Sequence, residues 1–230
     1  MIHTERPIIA FLPCRRGSER VKRKNTRPFA GIEGGLTKIK IEQLLNCPEI
    51  DSIVVSTDDL KVAEICNTVA KDYSKSVIIC ERPAHLATSE TSTDDLIKYV
   101  PEIITEGVVL WTHVTSPFVD SSIYSNSIKT YCEQIALDTC DSLMSVTKVQ
   151  KFLWDCNGPI NHEPIHEKWP RTQTLPVIYE VNSAIFLAPI ELYIQGQDRI
   201  GKRVNLFELT TSQSIDIDWE EDFRLAEKIW

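Results

Sequence analysis

Glycine is scarce, with only 8 among 230 residues, and no stretch reads G-x-x-x-x-G-K-[ST] or G-x-G-x-x-G. The fingerprints of Walker-type ATPases and of dinucleotide-binding proteins are therefore missing. No apolar run approaches the roughly 20 residues that cross a bilayer, so no membrane partner is expected. Met1 to Pro7 has no long apolar stretch and no cleavage signature, which points away from secretion. A basic excess is also lacking: 25 Lys and Arg stand against 33 Asp and Glu, a net charge of −8. Nucleic-acid binders carry the opposite balance, so no nucleic-acid partner is expected. The seven cysteines are odd in number, contain no C-x-x-C and are scattered through apolar segments. They read as reduced thiols used as small core residues, which suits a cytoplasmic protein.

What is present is the composition of a folded protein, 42% hydrophobic and 25% charged, at a length suited to one large α/β domain or two small ones. Strand-like and helix-like segments alternate. Ile8 to Leu12, between two prolines, predicts a buried parallel strand that feeds a polar loop. A helical period runs from Leu36 to Leu45, and Ser52 to Ser56 is a second strand. Thr57-Asp58-Asp59 starts a helix through Ala70. Strands at Ser76–Cys80 and Val108–Thr112, helices from Thr91 and from Asp120, and a strand near Ser142–Thr147 continue the rhythm. Such β-loop-α repeats imply a mostly parallel sheet with helices on both faces, an α/β fold. Ligands of these sheets sit beyond the carboxyl ends of the strands, so loops 14–25, 57–59, 81–94 and 113–120 are predicted to face one crevice. From Lys148 to Pro176 the rhythm breaks in a stretch of Pro, Asn, His and Trp, read as a lid or an interaction excursion. It resumes with Tyr179 to Leu187, a strand near Ser214–Ile217 and a closing helix from Trp219 to Ile229. The chain is read as one domain, 1–230, carrying an excursion at 148–178.

Three local signals carry chemistry. Seven of the residues from 15 to 27 are basic, around a Gly17-Ser18 pair where the first strand ends. Cations and amide donors at that place suit a polyphosphate, while a solvated basic loop or a nucleic-acid patch is the plainer alternative. His162-Glu163-Pro164-Ile165-His166 matches H-E-x-x-H, but Pro164 inside the motif opposes the helix on which that zinc signature depends. Asp216 and Asp218, two residues apart near the end of the chain, are suitable ligands for a hard cation such as Mg²⁺ shared with phosphates. The competing reading gives one carboxylate to solvent and the other to a helix cap.

Taken in order, these residues resemble the acylneuraminate cytidylyltransferases, the CMP-sialic acid synthetase family. The likeness rests on Arg15-x-Gly17-Ser18-x-Arg20, Lys24-Asn25, Pro28-Phe29-Ala30-Gly31, Val55 to Asp59, Arg82 to Ala87 and Ser92-Thr93-Asp94. It continues through Thr115-Ser116-Pro117, Ser145-Val146-Thr147, Pro170-Arg171-x-Gln173-x-Leu175-Pro176, Tyr179-Glu180-x-Asn182 and Asp216-x-Asp218. The resemblance implies a Rossmann-like sheet of the nucleotide-diphospho-sugar transferase type. It also implies CTP and a nonulosonic (sialic-type) acid as substrates, Mg²⁺ as cofactor, and a homodimer built through the excursion.

By motif position, the resemblance gives Arg15, Ser18 and Lys24 to the triphosphate, with Arg15 or Lys24 stabilising the developing charge. Asn25, Arg82, Thr91 and Thr93 would recognise cytidine. Asp216 and Asp218 would bind Mg²⁺ and, with Arg15 and Lys24, form the catalytic set. His113, Arg171, Gln173, Tyr179 and Asn182 would line the sugar pocket, with Arg171 facing the carboxylate. The sequence departs from the family at Glu19, usually Lys, and at His113, where Gln is common. Asn182-Ser183 replaces Asn-Gly, and Ile32 to Gly35 replaces a shorter turn. Two of these departures fall in the sugar pocket, so legionaminic or pseudaminic acid suits as well as sialic acid. The alternatives are a cytidylyltransferase for another acidic sugar, such as an octulosonate, and a non-catalytic sugar-nucleotide-binding protein.

Overall fold

In the computed structural model, which describes residues 6–230, a twisted seven-stranded sheet runs through the whole chain. Residues 1–5, part of the N-terminal stretch read above, lie outside the described residues. The first half alternates β1 (Ile8–Cys14), α1 (Gly35–Leu45), β2 (Ser52–Thr57), α2 (Leu60–Ala70), β3 (Ser76–Glu81), α3 (Thr93–Ile103), β4 (Val108–Trp111) and α4 (Ser121–Ala136). β5 (Ser142–Val149) leads into a small hairpin of β6 (Trp154–Asp155) and β7 (Gly158–Pro159). The chain then returns as β8 (Ile178–Pro189), turns through a π-helical segment at Leu192–Gly196, and ends with β9 (Val204–Leu209) and α5 (Glu220–Ile229).

Strand order is β3-β2-β1-β4-β8-β5-β9. β8 alone runs against its neighbours β4 and β5, so the sheet is mostly parallel, as the alternation predicts. The faces follow from side-chain alternation along each strand. In β1, Ala10, Leu12 and Cys14 point into a core closed by α1, α2, α4 and α5. Phe11 points to the other side and joins Trp111, Phe186 and Tyr193 under α3. Helix starts are chemically marked: Asp59 accepts from Lys61 N, Asp120 from Ile123 N, and Ser92 with Asp95 forms a reciprocal capping box. Cys14, Cys47, Cys66, Cys132 and Cys140 are buried, as small core residues would be.

One expected strand is absent. Ser214–Ile217 runs as a turn and an irregular segment, and the sheet edge beside β5 is taken by β9. Apart from Ile217 N donating to Thr115 O at 2.9 Å, no ladder holds that stretch. Alternation of apolar and acidic residues requires only an extended chain, and such a chain becomes a strand only where a partner edge is open. His162 to His166 is likewise turn and bend, so its two histidines lack the helical spacing of a zinc site. Among the described residues no helix is long and apolar enough to cross a membrane.

Candidate active site

The carboxyl ends of β1 and β4 open onto a crevice of about 410 Å³. Its walls come from the loop after β1, from Arg82 and Ser89 after β3, and from His113 to Thr115 after β4. Three of the four loops predicted to meet therefore do so. The fourth, 57–59, supports the first from outside: Asp58 accepts from Arg16 N at 2.7 Å. A larger groove of about 710 Å³ lies between α1 and α2. Four of its charges are paired with one another, in Lys38–Glu42 and Lys61–Glu64.

The basic loop is held open by its own backbone. Gly17 has φ +81°, a left-handed conformation that a side chain disfavours. Asn25 donates from Nδ2 to Arg15 O, and its own carbonyl accepts from both the amide and the hydroxyl of Thr37. Asn25 thus fastens the loop to α1. Arg15, Ser18, Arg20 and Lys24 line the crevice, and Glu19 stands among them. Lys24 is largely enclosed: its Nζ donates to Ile217 O at 2.7 Å and lies 3.6 Å from Asp218 Oδ1. Burial lowers its pKa, while Asp218 and Asp216 act in the opposite direction. Arg20 lies 3.2 Å from the same Asp218 oxygen and over the ring of Trp219.

The two aspartates differ in environment. Asp218 is half-exposed among these cations. Asp216 is more enclosed, and its Oδ1 is buried with no hydrogen-bond partner. Burial raises its pKa, with Thr115 and Lys24 opposing and Asp218 adding to the rise. A buried carboxylate oxygen left open is costly unless something charged meets it. Among the described residues no cluster of three metal-ligating side chains occurs, so a cation here would have two protein carboxylates at most. That donor set fits a Mg²⁺ ion that keeps water and substrate phosphate in its shell.

Arg82 is buried. It donates from Nε to Ser56 Oγ at 3.2 Å and from Nη2 to Ser56 O at 2.8 Å, and it is among the residues that line the crevice. Burial lowers its pKa. Thr91 and Thr93 are not among the lining residues; Thr91 donates to His85 O, and Thr93 opens α3. On the opposite wall, Trp111 Nε1 donates to His113 Nε2 at 2.9 Å. Indole nitrogen only donates, so His113 carries its proton on Nδ1. Burial, followed by the charges of Arg199, Lys24, Arg82 and Lys40, pushes the His113 imidazolium down to about 3. It is therefore a neutral donor.

Of the five residues proposed for the sugar, His113 alone is among the residues that line this crevice. Arg171 and Gln173 are exposed on the excursion. Tyr179 donates to Glu208 on the β8–β9 side. Asn182 is spent inside the sheet: Oδ1 accepts from Ser145 Oγ at 2.6 Å and Nδ2 donates to Thr147 Oγ1 at 3.1 Å. These bonds brace the irregular register between β5 and β8, where Ser183 has φ +57°.

Two residues that shape the site are not apparent from the motifs. Lys40 lies among the apolar positions of α1 yet is wholly buried, donating to Ser116 O, Val119 O and Tyr124 Oη at 2.8 to 3.0 Å. A lysine inside an apolar stripe is the only signal the sequence offers for it. Arg199, behind His113, has no comparable local signal.

The cytidylyltransferase family profile matches residues 9–229. The chain is similar to an N-acylneuraminate cytidylyltransferase of Escherichia coli O18:K1:H7, 29% identical over 227 residues, which cover 95% of this chain and 51% of that protein. The chain thus spans about half the length of that relative. It is equally similar, at 29% identity, to a CMP-N,N'-diacetyllegionaminic acid synthase of Legionella pneumophila, with 96% of this chain and 95% of that one covered. Among solved structures, a 4-diphosphocytidyl-2C-methyl-D-erythritol synthase from Anaerococcus prevotii superposes with a TM-score of 0.66 at 15% identity, over 97% of this chain and 96% of that one. With the profile spanning nearly all of the chain and the basic loop and aspartate pair meeting at the sheet's carboxyl edge, this protein belongs to the cytidylyltransferase family.

Proposed function

We propose that the protein transfers CMP from CTP to the anomeric hydroxyl of a nonulosonic acid and releases pyrophosphate. The observation that carries this reading is the meeting of the crevice-lining Arg15–Lys24 loop with the aspartate segment: Arg20 and Lys24 pair with Asp218, and Lys24 donates to Ile217 O between the two aspartates. Family membership and relatives named for acylneuraminate and legionaminate support it. In the reaction, the sugar hydroxyl loses its proton to solvent and its oxygen bonds to the α-phosphorus, while the bond from that phosphorus to the bridging oxygen breaks and its electron pair leaves with pyrophosphate. The main tasks are in-line positioning and charge stabilisation.

Arg15, Ser18 and Lys24 hold the triphosphate, with Arg15 and Lys24 placed to stabilise charge on the leaving oxygens. Asn25 and Arg82, with Thr91 and Thr93 nearby in sequence to the α3 cap, serve the cytidine end. Arg82 has a fixed guanidinium edge for that purpose. Asp216 and Asp218 would hold Mg²⁺, which on binding supplies charge neutralisation at the phosphates. The open Asp216 Oδ1 supports this assignment.

His113 offers a neutral Nδ1–H toward the acceptor sugar. The excursion is read as the surface for a second copy of the chain, and Arg171, Gln173 and Tyr179 would complete the sugar pocket on assembly. Exposed Trp154, Ile160, Ile165 and Trp169 support this, with Phe152 packed on Trp169 and the His162 ring, its nitrogens without hydrogen-bond partners, packed among Phe152, Trp154 and Trp169. The compartment consistent with buried reduced thiols is the cytoplasm.

The test is pyrophosphate release from purified protein with CTP and Mg²⁺, offered N-acetylneuraminic, legionaminic, pseudaminic and 3-deoxy-octulosonic acids in turn. Release with a nine-carbon acid is the expected result. Release with the eight-carbon acid alone, or CTP binding with no turnover on any acid, would overturn the proposal.

A further inference from the structure

Beyond the residues that motif position suggests, an unclaimed cation lies beside the Trp111–His113 pair, next to but not among the residues that line the crevice. Arg199 follows the π-helical segment, and its guanidinium lies 3.7 Å from the ring centroid of Phe186 and 5.1 Å from that of Trp111. Among the described residues, none engages that guanidinium by a hydrogen bond or ion pair. Burial lowers its pKa, and Asp94, Asp198 and Tyr193 act on it only from a distance. It is also the cation that acts most strongly on His113. Stacking fixes the plane of the fork and leaves its N–H edge without a partner.

The loop that carries Arg199 is anchored at its end by three hydrogen bonds to Asp141 and Ser142. Gly201 N donates to Ser142 Oγ at 2.8 Å, and the amides of Lys202 and Arg203 donate to Asp141 Oδ2 at 2.9 and 3.0 Å. Any side chain at 201 would collide with the Asp141 carboxylate, since a Cβ would lie 2.2 Å from its Oδ1. A rigid loop that delivers a stacked, unpaired guanidinium is a preorganised anion receptor. Trp111 links the two groups: Arg199 lies over its ring and His113 accepts from its Nε1.

We infer that Arg199 and His113 Nδ1–H together receive the carboxylate of the acidic acceptor sugar, with Arg199 as the residue that selects acids over neutral sugars. This inference rests on the reaction proposed above. A phosphate of CTP is the other anion available to the site, but the triphosphate has its own cations in the Arg15–Lys24 loop, facing Asp218. A carboxylate suits the Trp111 side of the site because His113, which accepts from Trp111 Nε1, is held neutral there, so a monoanion meets one full charge and one neutral donor.

The test compares wild type with Arg199→Met, which keeps apolar contact with Phe186, and with Arg199→Lys, which keeps the charge and loses the fork. Calorimetric binding of CTP, and binding and turnover of the same panel of acids and their methyl esters, are measured on each. In Arg199→Met, KM for the active acid is expected to rise about 10- to 100-fold, the loss associated with one hydrogen-bonded charge. CTP affinity should stay within about twofold, and Arg199→Lys should recover part of the loss. The distinguishing readout is the preference for acid over ester, at least about tenfold in wild type and collapsing in Arg199→Met, a change that loss of packing alone would not produce.

An unchanged acid preference, or weakened CTP binding with the acid unaffected, overturns the inference and leaves the reaction standing. Acid binding that depends on Arg199 without turnover overturns the reaction and keeps the receptor. No binding of any panel acid to wild type overturns both. If Arg199→Met does not fold, the same ratio measured on Arg199→Lys decides, with the wild-type preference expected to shrink at least about threefold.

Discussion

Replacing Lys40 by Met tests how the β4 loop is held. The Lys40 ammonium is fully buried and bonds to Ser116 O, Val119 O and Tyr124 Oη at 2.9, 3.0 and 2.8 Å. Methionine fills most of the same volume and offers no donor. Each carbonyl stranded in the interior costs on the order of 1–3 kcal/mol, and relief from burying a charge returns part of that. A net loss of about 2–4 kcal/mol is expected, or a fall of roughly 5–15 °C in Tm for a chain of this size. Function should fall further than stability, because the same loop carries Thr115, whose carbonyl receives Ile217 N between the two aspartates.

The pH dependence has a definite sign. Burial holds the Lys40 pKa well below its ordinary value, with Asp120 the one charge opposing. The unfolded chain therefore binds more protons than the folded one between the two pKa values, and stability contributed by this site rises with pH in that window. Thermal melts of both proteins from pH 6 to 10 check this: the wild-type advantage over Lys40→Met should widen toward alkaline pH. A Tm difference under 2 °C at every pH would refute the idea that Lys40 fastens the loop.

Asp218→Ala should lose nearly all turnover while its circular dichroism and melting curve stay close to wild type; retention of the wild-type rate would remove Asp218 from the metal site. Asp216→Asn should abolish turnover yet raise Tm in metal-free buffer, because burial already disfavours the Asp216 charge. A lower Tm would mean that Lys24 and Thr115 outweigh that burial. Trp154→Ser with Trp169→Ser, which removes the stacked pair at 6.3 Å, should shift a dimer to monomer in sedimentation velocity; an unchanged sedimentation coefficient would move the interface elsewhere.

The parts legible in the sequence share a physical reason. β1, β2 and β4 are buried on both faces, so they read as unbroken apolar runs. Asp59, Ser92 and Asp120 mark helix starts by local bonding that needs no tertiary context. β9 escapes notice because it is an edge strand with half-covered residues, and its pattern is no stronger than that of the nearby Ser214–Ile217 stretch. What separates them is a free edge on β5, a property of residues some 60 positions earlier. The basic loop and the aspartate pair could be read because their chemistry is local. Asn182 shows the limit, since its amide is consumed by Ser145 and Thr147 on a strand that the sequence does not place beside it. Arg199 has significance only through the rings of Phe186 and Trp111 that it covers.

The reversed strand has a consequence for how the chain is made. β3, β2, β1 and β4 form one parallel block from residues 8–111, and β5 pairs with β9 in another. β8 alone joins the blocks, with Trp111 beside Phe186 across 75 positions of chain. Contacts of such separation bear the largest loop-closure entropy and are favoured late in folding. During synthesis the first block and its basic loop emerge before the tail that carries Asp216 and Asp218. A nascent chain therefore presents a patch of positive charge offset only in part by Glu19, open to any polyanion, until β8 closes the sheet and Ile217 reaches Thr115. The acidic tail acts as a counterion for the polypeptide's own assembly before a nucleotide ever arrives.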